Sequence, residues 1–142
     1  MMDRGFEILD HTSELKIRAV GRTKEEVFLN MMRGMMAVLR AKTRNSSLDS
    51  ARDKIRNIKI ESQDIHALLV DFLNEILYLT EVHREVYHNV IFKKFSDTEL
   101  EGKIMGEKAA SFEDTIKAVT YHGVHVIIDR KGLYGATVIF DV

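Results

Sequence analysis

Near the start of the chain, Asp10-His11-Thr12-Ser13-Glu14-Leu15 sets carboxylate, imidazole and hydroxyl groups in a row, directly before the alternating stretch Leu15-Lys16-Ile17-Arg18-Ala19-Val20. Asp, Thr and Ser bond readily to their own neighbouring backbone, so an ordinary turn is one reading of that run. The other end of the sequence suggests a second reading. Ile139-Phe140-Asp141-Val142 is a strand pattern closing on a carboxylate. Two acidic strand ends, one from each end of the chain, invite a shared site, and oxygen donors of this kind suit a hard cation such as Ca2+ or Mg2+.

Ile116-Lys117-Ala118-Val119-Thr120-Tyr121-His122-Gly123 is the next candidate, with lysine, tyrosine and histidine on one extended segment. Alternation puts Lys117, Val119 and Tyr121 on one face and Ala118, Thr120 and His122 on the other. Gly123 can supply a bend that would bring Lys117 and His122 together. An edge strand with one charged residue and a structural histidine is the competing reading. His83 and His88 are five apart across a change of element, and His66 and Asp71 are five apart on a helix, off the spacing that shares a face. The sequence has no glycine-rich phosphate loop, no nucleophile-elbow serine and no zinc-spaced histidine pair. Nothing assembles a complete catalytic set.

These residues need a scaffold, and periodicity supplies one. Phe6 to Leu9 and Leu15 to Val20 read as two paired strands. Gly21 ends the second, and Thr23 with Glu26 forms a capping box for a helix from about Lys24 to Leu39. Its apolar positions wrap more than one side, which calls for cover from two directions. The Met31, Met32, Met35 and Met36 cluster is read as core rather than a partner surface. Arg40 to Ser50 reads as an exposed basic connection. Ile58 and Ile60 mark another strand, after which Ser62 is positioned to cap a second helix with Ile65, Leu68, Leu69, Phe72, Leu73, Ile76 and Leu77 on its buried stripe. His66, Asp71, Asn74 and Glu75 fall on the other side, expected to be solvated. Val86 to Phe95 and Leu100 to Met105 form a hairpin through Ser96-Asp97-Thr98, followed by an irregular stretch at Ala109 to Asp114. Ile116 to His122, Val124 to Ile128 and Tyr134 to Phe140 complete the chain, the last two joined through Asp129-Arg130-Lys131-Gly132. The order β-β-α-β-α followed by a β-rich half predicts an α+β fold, with two main helices packed against largely antiparallel sheet.

The chain's 142 residues suit one domain, spanning 1–142. With 21 basic and 22 acidic residues, no strongly basic nucleic-acid surface is expected. The absence of cysteine excludes disulfides, thiolate metal sites and a cysteine nucleophile. No signal core or apolar spanning run is present, so a soluble cytoplasmic protein is expected.

Taken together and in order, the Asp10–Leu15 run, the helix Ala67-Leu68-Leu69-Val70-Asp71-Phe72-Leu73-Asn74-Glu75, the string Ile116 to His122 and the terminal Ile139 to Val142 resemble the archease family along the whole chain. The resemblance implies an α+β fold and an accessory role towards an RtcB-type RNA ligase, which joins tRNA exon ends in splicing and RNA repair. In that role the ligase does the chemistry and meets the tRNA. The accessory protein promotes guanylylation of the ligase's active-site histidine, permits multiple turnover and binds a divalent metal, Ca2+ foremost. Carried onto this sequence, the metal site is Glu14, Asp141 and Val142, the last through a main-chain or terminal oxygen. Where Glu14 stands the family usually has Asp, so the longer side chain must fold back or shift the ion to keep oxygen distances near about 2.4 Å. Lys117 matches a lysine implicated in activation, and His11 and His122 belong to the same motifs. A stand-alone metal-dependent hydrolase acting on nucleotides or RNA ends is the alternative, and an RNA-binding adaptor is a third reading that the balanced charge disfavours.

Overall fold

A computed structural model describes residues 4–10, 14–43, 54–129 and 131–142. His11 of the candidate set lies outside the described residues. The order is β1 (Phe6–Asp10), β2 (Glu14–Gly21), α1 (Lys24–Leu39), β3 (Ala41–Thr43), β4 (Lys54–Glu61), α2 (Ile65–His83), β5 (Glu85–Phe95), β6 (Glu99–Phe112), β7 (Ala118–Ile128) and β8 (Tyr134–Asp141). This is the expected α+β arrangement. Every strand pairing is antiparallel.

One sheet runs β1-β2-β8-β7, so β2 and β8, from near the two ends of the chain, form its centre. The other is built on the long β6, which pairs with β5, β4 and β3. Both helices touch both sheets: α1 packs on β1, β2 and β8 of the first and β5 of the second, and α2 on β7 of the first and β4 and β5 of the second. That is why α1 needs apolar residues around most of its circumference. Val27, Phe28, Met31, Met32 and Met35 are fully buried, so the methionines are core. Phe28 of α1 lies 5.4 Å from Phe72 of α2 and 5.0 Å, edge-on, from Phe95 of β5, which ties the three elements through aromatic contacts.

Thr23 caps α1 as expected, with Oγ1 accepting from Glu26 N at 3.1 Å, while the Glu26 carboxylate reaches one residue further back than in a capping box and accepts from Arg22 N at 2.9 Å. At α2 the expected cap is displaced by two residues. Asp64 is the N-cap and its Oδ1 accepts from Ala67 N at 2.8 Å, whereas the Ser62 hydroxyl donates to Asp71. Asp64 wins because it stands three residues before an available N–H, the reach of a capping oxygen.

Two further expectations are corrected. The connection after α1 is not simply loop: Arg40 closes the helix in the left-handed region at φ 50°, and Ala41–Thr43 then pairs with β6. The stretch at Ala109 to Asp114 is not irregular from its start, since β6 runs on to Phe112. The length of β6 depends on two glycines. A Cβ on Gly106 would meet the Val86 carbonyl and come within 2.7 Å of Tyr87 Cα, and one on Gly102 would press on the Ile91 carbonyl. Both stand where β5 shifts register and its backbone crowds against β6.

Candidate functional site

The register of β2, β8 and β7 brings the sequence candidates together. Glu14 of β2 pairs with Asp141 of β8, and Asp141 pairs in turn with Ala118 of β7. Strand alternation fixes their direction. Leu15, Ile17 and Ala19 of β2, and Phe140, Val138 and Ala136 of β8, are buried against the helices, so Glu14 and Asp141 stand on the opposite, outer face. Both are exposed. Directly opposed residues on adjacent strands hold their Cβ atoms about 4.5–5.5 Å apart, and like charges so placed repel. A cation between them would relieve that repulsion.

Lys117 stands immediately before β7, and its N–H donates to the Asp141 carbonyl at 2.8 Å. Ile116 before it is 2 % exposed and Val119 after it 4 %, so the backbone is anchored on both sides while the Lys117 side chain is exposed. Val142 lines a depression of about 330 Å³ beside Ile8, Leu15, Asp114 and Thr115. Among the described residues no three His, Asp or Glu side chains cluster closely enough to hold a metal. A donor beyond the two carboxylates must therefore come from the main chain, where Val142 is adjacent in sequence, or from outside the described residues.

His122 is not brought into the row of Glu14, Asp141 and Ala118. Between Thr120, which pairs with Ile139, and His125, which pairs with Thr137, β7 carries extra residues and bulges. Gly123 supplies the bend with φ 73°, and a Cβ there would come within 3.0 Å of Ile139 Cδ1. The bulge thus lies over β8 next to Ile139, two residues before Asp141, and His122 is exposed on it. Up to the bulge the alternation holds: Val119 is buried and the Tyr121 hydroxyl donates to Asp71 of α2, while Thr120 Oγ1 donates to Ile139 O at 3.2 Å.

The expected solvated side of α2 proves to be what positions this strand. β7 is at the edge of its sheet, and α2 supplies partners for its free backbone groups. The Asn74 amide donates to Val119 O at 3.1 Å and accepts from Val119 N at 3.1 Å, as a neighbouring strand would. His66 Nδ1 accepts from Val126 N at 3.1 Å. That bond leaves Nδ1 as the unprotonated ring nitrogen. Asp71 accepts from both Ser62 and Tyr121, and the Tyr121 hydroxyl is held above its usual pKa by this hydrogen bond, with burial and the carboxylate's charge adding to it. Comparing His66 with Asp71 alone hides the pattern. His66 and Asn74, eight residues apart, fall within one broad stripe of a helix, and that spacing is the signal that could have found them.

The Archease protein family (MTH1598/TM1083) matches residues 6–142. The chain is similar to protein archease of Methanosarcina barkeri, 36 % identical over 145 residues that take in 96 % of this chain and 95 % of that one. It is also similar to protein archease of Methanothermobacter thermautotrophicus, 33 % identical over 145 residues, 98 % of this chain and 99 % of the relative. Among solved structures, the solution structure of Methanobacterium thermoautotrophicum protein 1598 superposes with a TM-score of 0.72 at 32 % identity, covering 98 % and 99 % of the two chains. The crystal structure of an archease, possible chaperone, from Thermotoga maritima gives a TM-score of 0.63 at 20 % identity over 94 % of each chain, and shares the fold. With a family match over nearly its whole length and relatives above 30 % identity, this chain belongs to the archease family.

Proposed function

We propose that the chain is a non-enzymatic accessory protein that activates an RtcB-type RNA ligase in tRNA splicing and RNA repair, promoting guanylylation of the ligase and multiple turnover. The observation that carries this reading is the pairing, at one end of the β1-β2-β8-β7 sheet, of Glu14 and Asp141 on its outer face, with the exposed Lys117 bonded through its backbone to Asp141 at the adjoining start of β7. Glu14 and Asp141 would hold a divalent cation with a main-chain oxygen of Val142, Ca2+ being the best match to a site of carboxylate and carbonyl oxygens. Bound there, the ion would supply positive charge for phosphate oxygens. Lys117, at the same end of the sheet, would add a mobile ammonium suited to a transient contact with nucleotide or ligase. His122, on the neighbouring bulge, and His11 complete the activating surface. Contact with tRNA would be through the ligase. No described helix is long and apolar enough to cross a membrane. The proposed accessory role would place the protein in the cytoplasm beside its ligase.

The test uses a purified RtcB-type ligase, GTP and this protein. Wild type should raise the yield of guanylylated ligase, and Lys117→Ala should lose most of that effect while keeping its fold. In calorimetric titration with Ca2+, Glu14→Ala and Asp141→Ala should each abolish binding. Activation by Lys117→Ala at the wild-type level would remove the lysine from the mechanism. If the isolated protein hydrolyses GTP or RNA ends and Asp141→Ala stops it, the protein is an enzyme and the accessory reading fails.

A further inference from the structure

The outer face of the same sheet carries a second arrangement, four residues along β2 from Glu14. Arg18 of β2 pairs with Thr137 of β8, and Thr137 pairs with His125 of β7, so guanidinium, hydroxyl and imidazole form one row across three strands. Ala19, Ala136 and Val138, their inward-facing neighbours, are buried, which sends all three side chains outward. Arg18 and His125 are exposed. Among the described residues neither makes an ion pair or a side-chain hydrogen bond. Glu7 is opposite Arg18 on β1 yet forms no ion pair with it. Asp129, in the turn after β7, is occupied by its own loop, with Oδ1 accepting from Lys131 N at 2.8 Å and Leu133 N at 2.9 Å.

The next row on this outer face is Val20, Gly135 and Ile127. Gly135 has no side chain, and a Cβ built there would meet nothing nearer than 3.7 Å. The result is a depression of about 280 Å³ lined by Arg18, His125 and Thr137, by the apolar Val20 and Ile127 with Gly135, and at its turn end by Asp129, whose Oδ1 is held by its own loop. Ile127 is 61 % exposed, an apolar side chain left uncovered beside a guanidinium and an imidazole.

We infer that this depression binds a phosphate monoester carrying a nucleoside. Strands are spaced about 4.8 Å apart, so Arg18 and His125 flank Thr137 at a span that their side chains close onto one tetrahedral anion. The guanidinium fork donates to two phosphate oxygens, the Thr137 hydroxyl and the imidazole donate to the others, and the apolar lining takes the sugar and base. The same chemistry is presented by a free mononucleotide and by the phosphorylated end of an RNA strand. The site stands independently of the metal-binding end, because Arg18 is four residues from Glu14, about 13 Å along the strand.

Two-dimensional NMR titration of the full chain tests it with three probes: inorganic phosphate, a nucleoside 5′-monophosphate, and a 5′-phosphorylated hexanucleotide. Saturable shifts of the Arg18, Gly135 and Thr137 amides are expected with the nucleotide probes. A tighter fit to the hexanucleotide identifies a strand end as the source, and a tighter fit to the mononucleotide identifies the free ligand. Arg18→Gln and His125→Ala should each weaken binding about tenfold or more, the loss expected for a charged or ring donor to phosphate. Gly135→Val, whose Cβ has room, should fill the depression and block the nucleotide probes. Asp141→Asn should leave nucleotide binding intact while removing Ca2+ binding, which separates this site from the proposed metal site. Binding that survives both Arg18→Gln and Gly135→Val, binding of inorganic phosphate alone, or loss of nucleotide binding in Asp141→Asn would each overturn the inference.

Discussion

Asn74 holds the strand that carries Lys117, and its removal has a size that the geometry fixes. The amide makes two hydrogen bonds of 3.1 Å to the backbone of Val119, a residue 4 % exposed on the free edge of β7. Net hydrogen bonds contribute about 1 kcal/mol each, and a buried backbone group left without a partner costs about 1–3 kcal/mol. Asn74→Ala removes both partners at once, and some water entry at the edge offsets part of the penalty, so a loss of roughly 2–3 kcal/mol is expected. For a chain of this size that lowers the melting temperature by roughly 6–12 °C. Thermal denaturation followed by circular dichroism measures it, with Glu75→Ala, whose side chain makes no such bond, as a control expected to stay within about 0.5 kcal/mol. Hydrogen exchange should locate the effect: the Val119 amide should exchange faster, and Ile17 in the sheet centre should keep its protection relative to global unfolding. A change below about 0.5 kcal/mol, or equal loss of protection at both amides, would refute the view that α2 acts as a substitute neighbour for β7.

Other consequences follow from the second sheet. Glu85 is 2 % exposed, accepts from Arg56 Nε at 3.0 Å and Nη2 at 2.8 Å, and accepts from the Tyr87 hydroxyl at 2.7 Å. Burial pushes its pKa up, but the hydrogen bonds from Arg56 and Tyr87 and the guanidinium charge outweigh it, holding the carboxyl below its usual 4.5. The folded value being the lower one, its stabilisation is present above pH 4.5 and disappears as pH falls through the depressed value. Glu85→Gln should therefore flatten the acid limb of stability measured by urea unfolding between about pH 5 and 3. At neutral pH it should cost roughly 2–4 kcal/mol, somewhat under the full penalty of a broken buried pair because Arg56 is one-third exposed and can rehydrate. Gly106→Ala should destabilise by about 1–3 kcal/mol or more, since the added methyl meets the Val86 and Tyr87 backbone rather than a movable side chain; a neutral result in chemical denaturation would show that β5 can retreat.

Much of the scaffold was legible from periodicity because the elements with strong patterns are those buried on defined faces. The Leu15, Ile17, Ala19 alternation, the Lys24–Leu39 helix and the hairpin through Ser96-Asp97-Thr98 all rest on side chains whose burial the fold requires. The candidate site was legible in part, because Glu14 and Asp141 end two strands and the antiparallel register sets them opposite. What escaped was long-range and polar. His66 and Asn74 read as solvated because polarity on a helix usually marks water, and only the edge position of β7 reveals that their partners are backbone groups of another element. The extension of β6 through Ala109 to Phe112 was hidden for a similar reason: its partner Ala41–Thr43 is too short to show a period, and glycine tolerance of a crowded backbone leaves no hydropathy signature. The bulge at Gly123 was readable only as a bend, not as the device that sets His122 over β8.

Multiple-turnover RNA joining reads out ligase activation itself. An RtcB-type ligase is supplied with GTP, divalent metal and an excess of cleaved RNA, and joined product is counted per ligase molecule in the presence of wild type, Lys117→Ala or Asp141→Ala. Many products per ligase are expected with wild-type protein, and about one or fewer with either variant, although both variants stay folded because their side chains are exposed. Equal product counts with wild type, Lys117→Ala and Asp141→Ala would contradict the activating role.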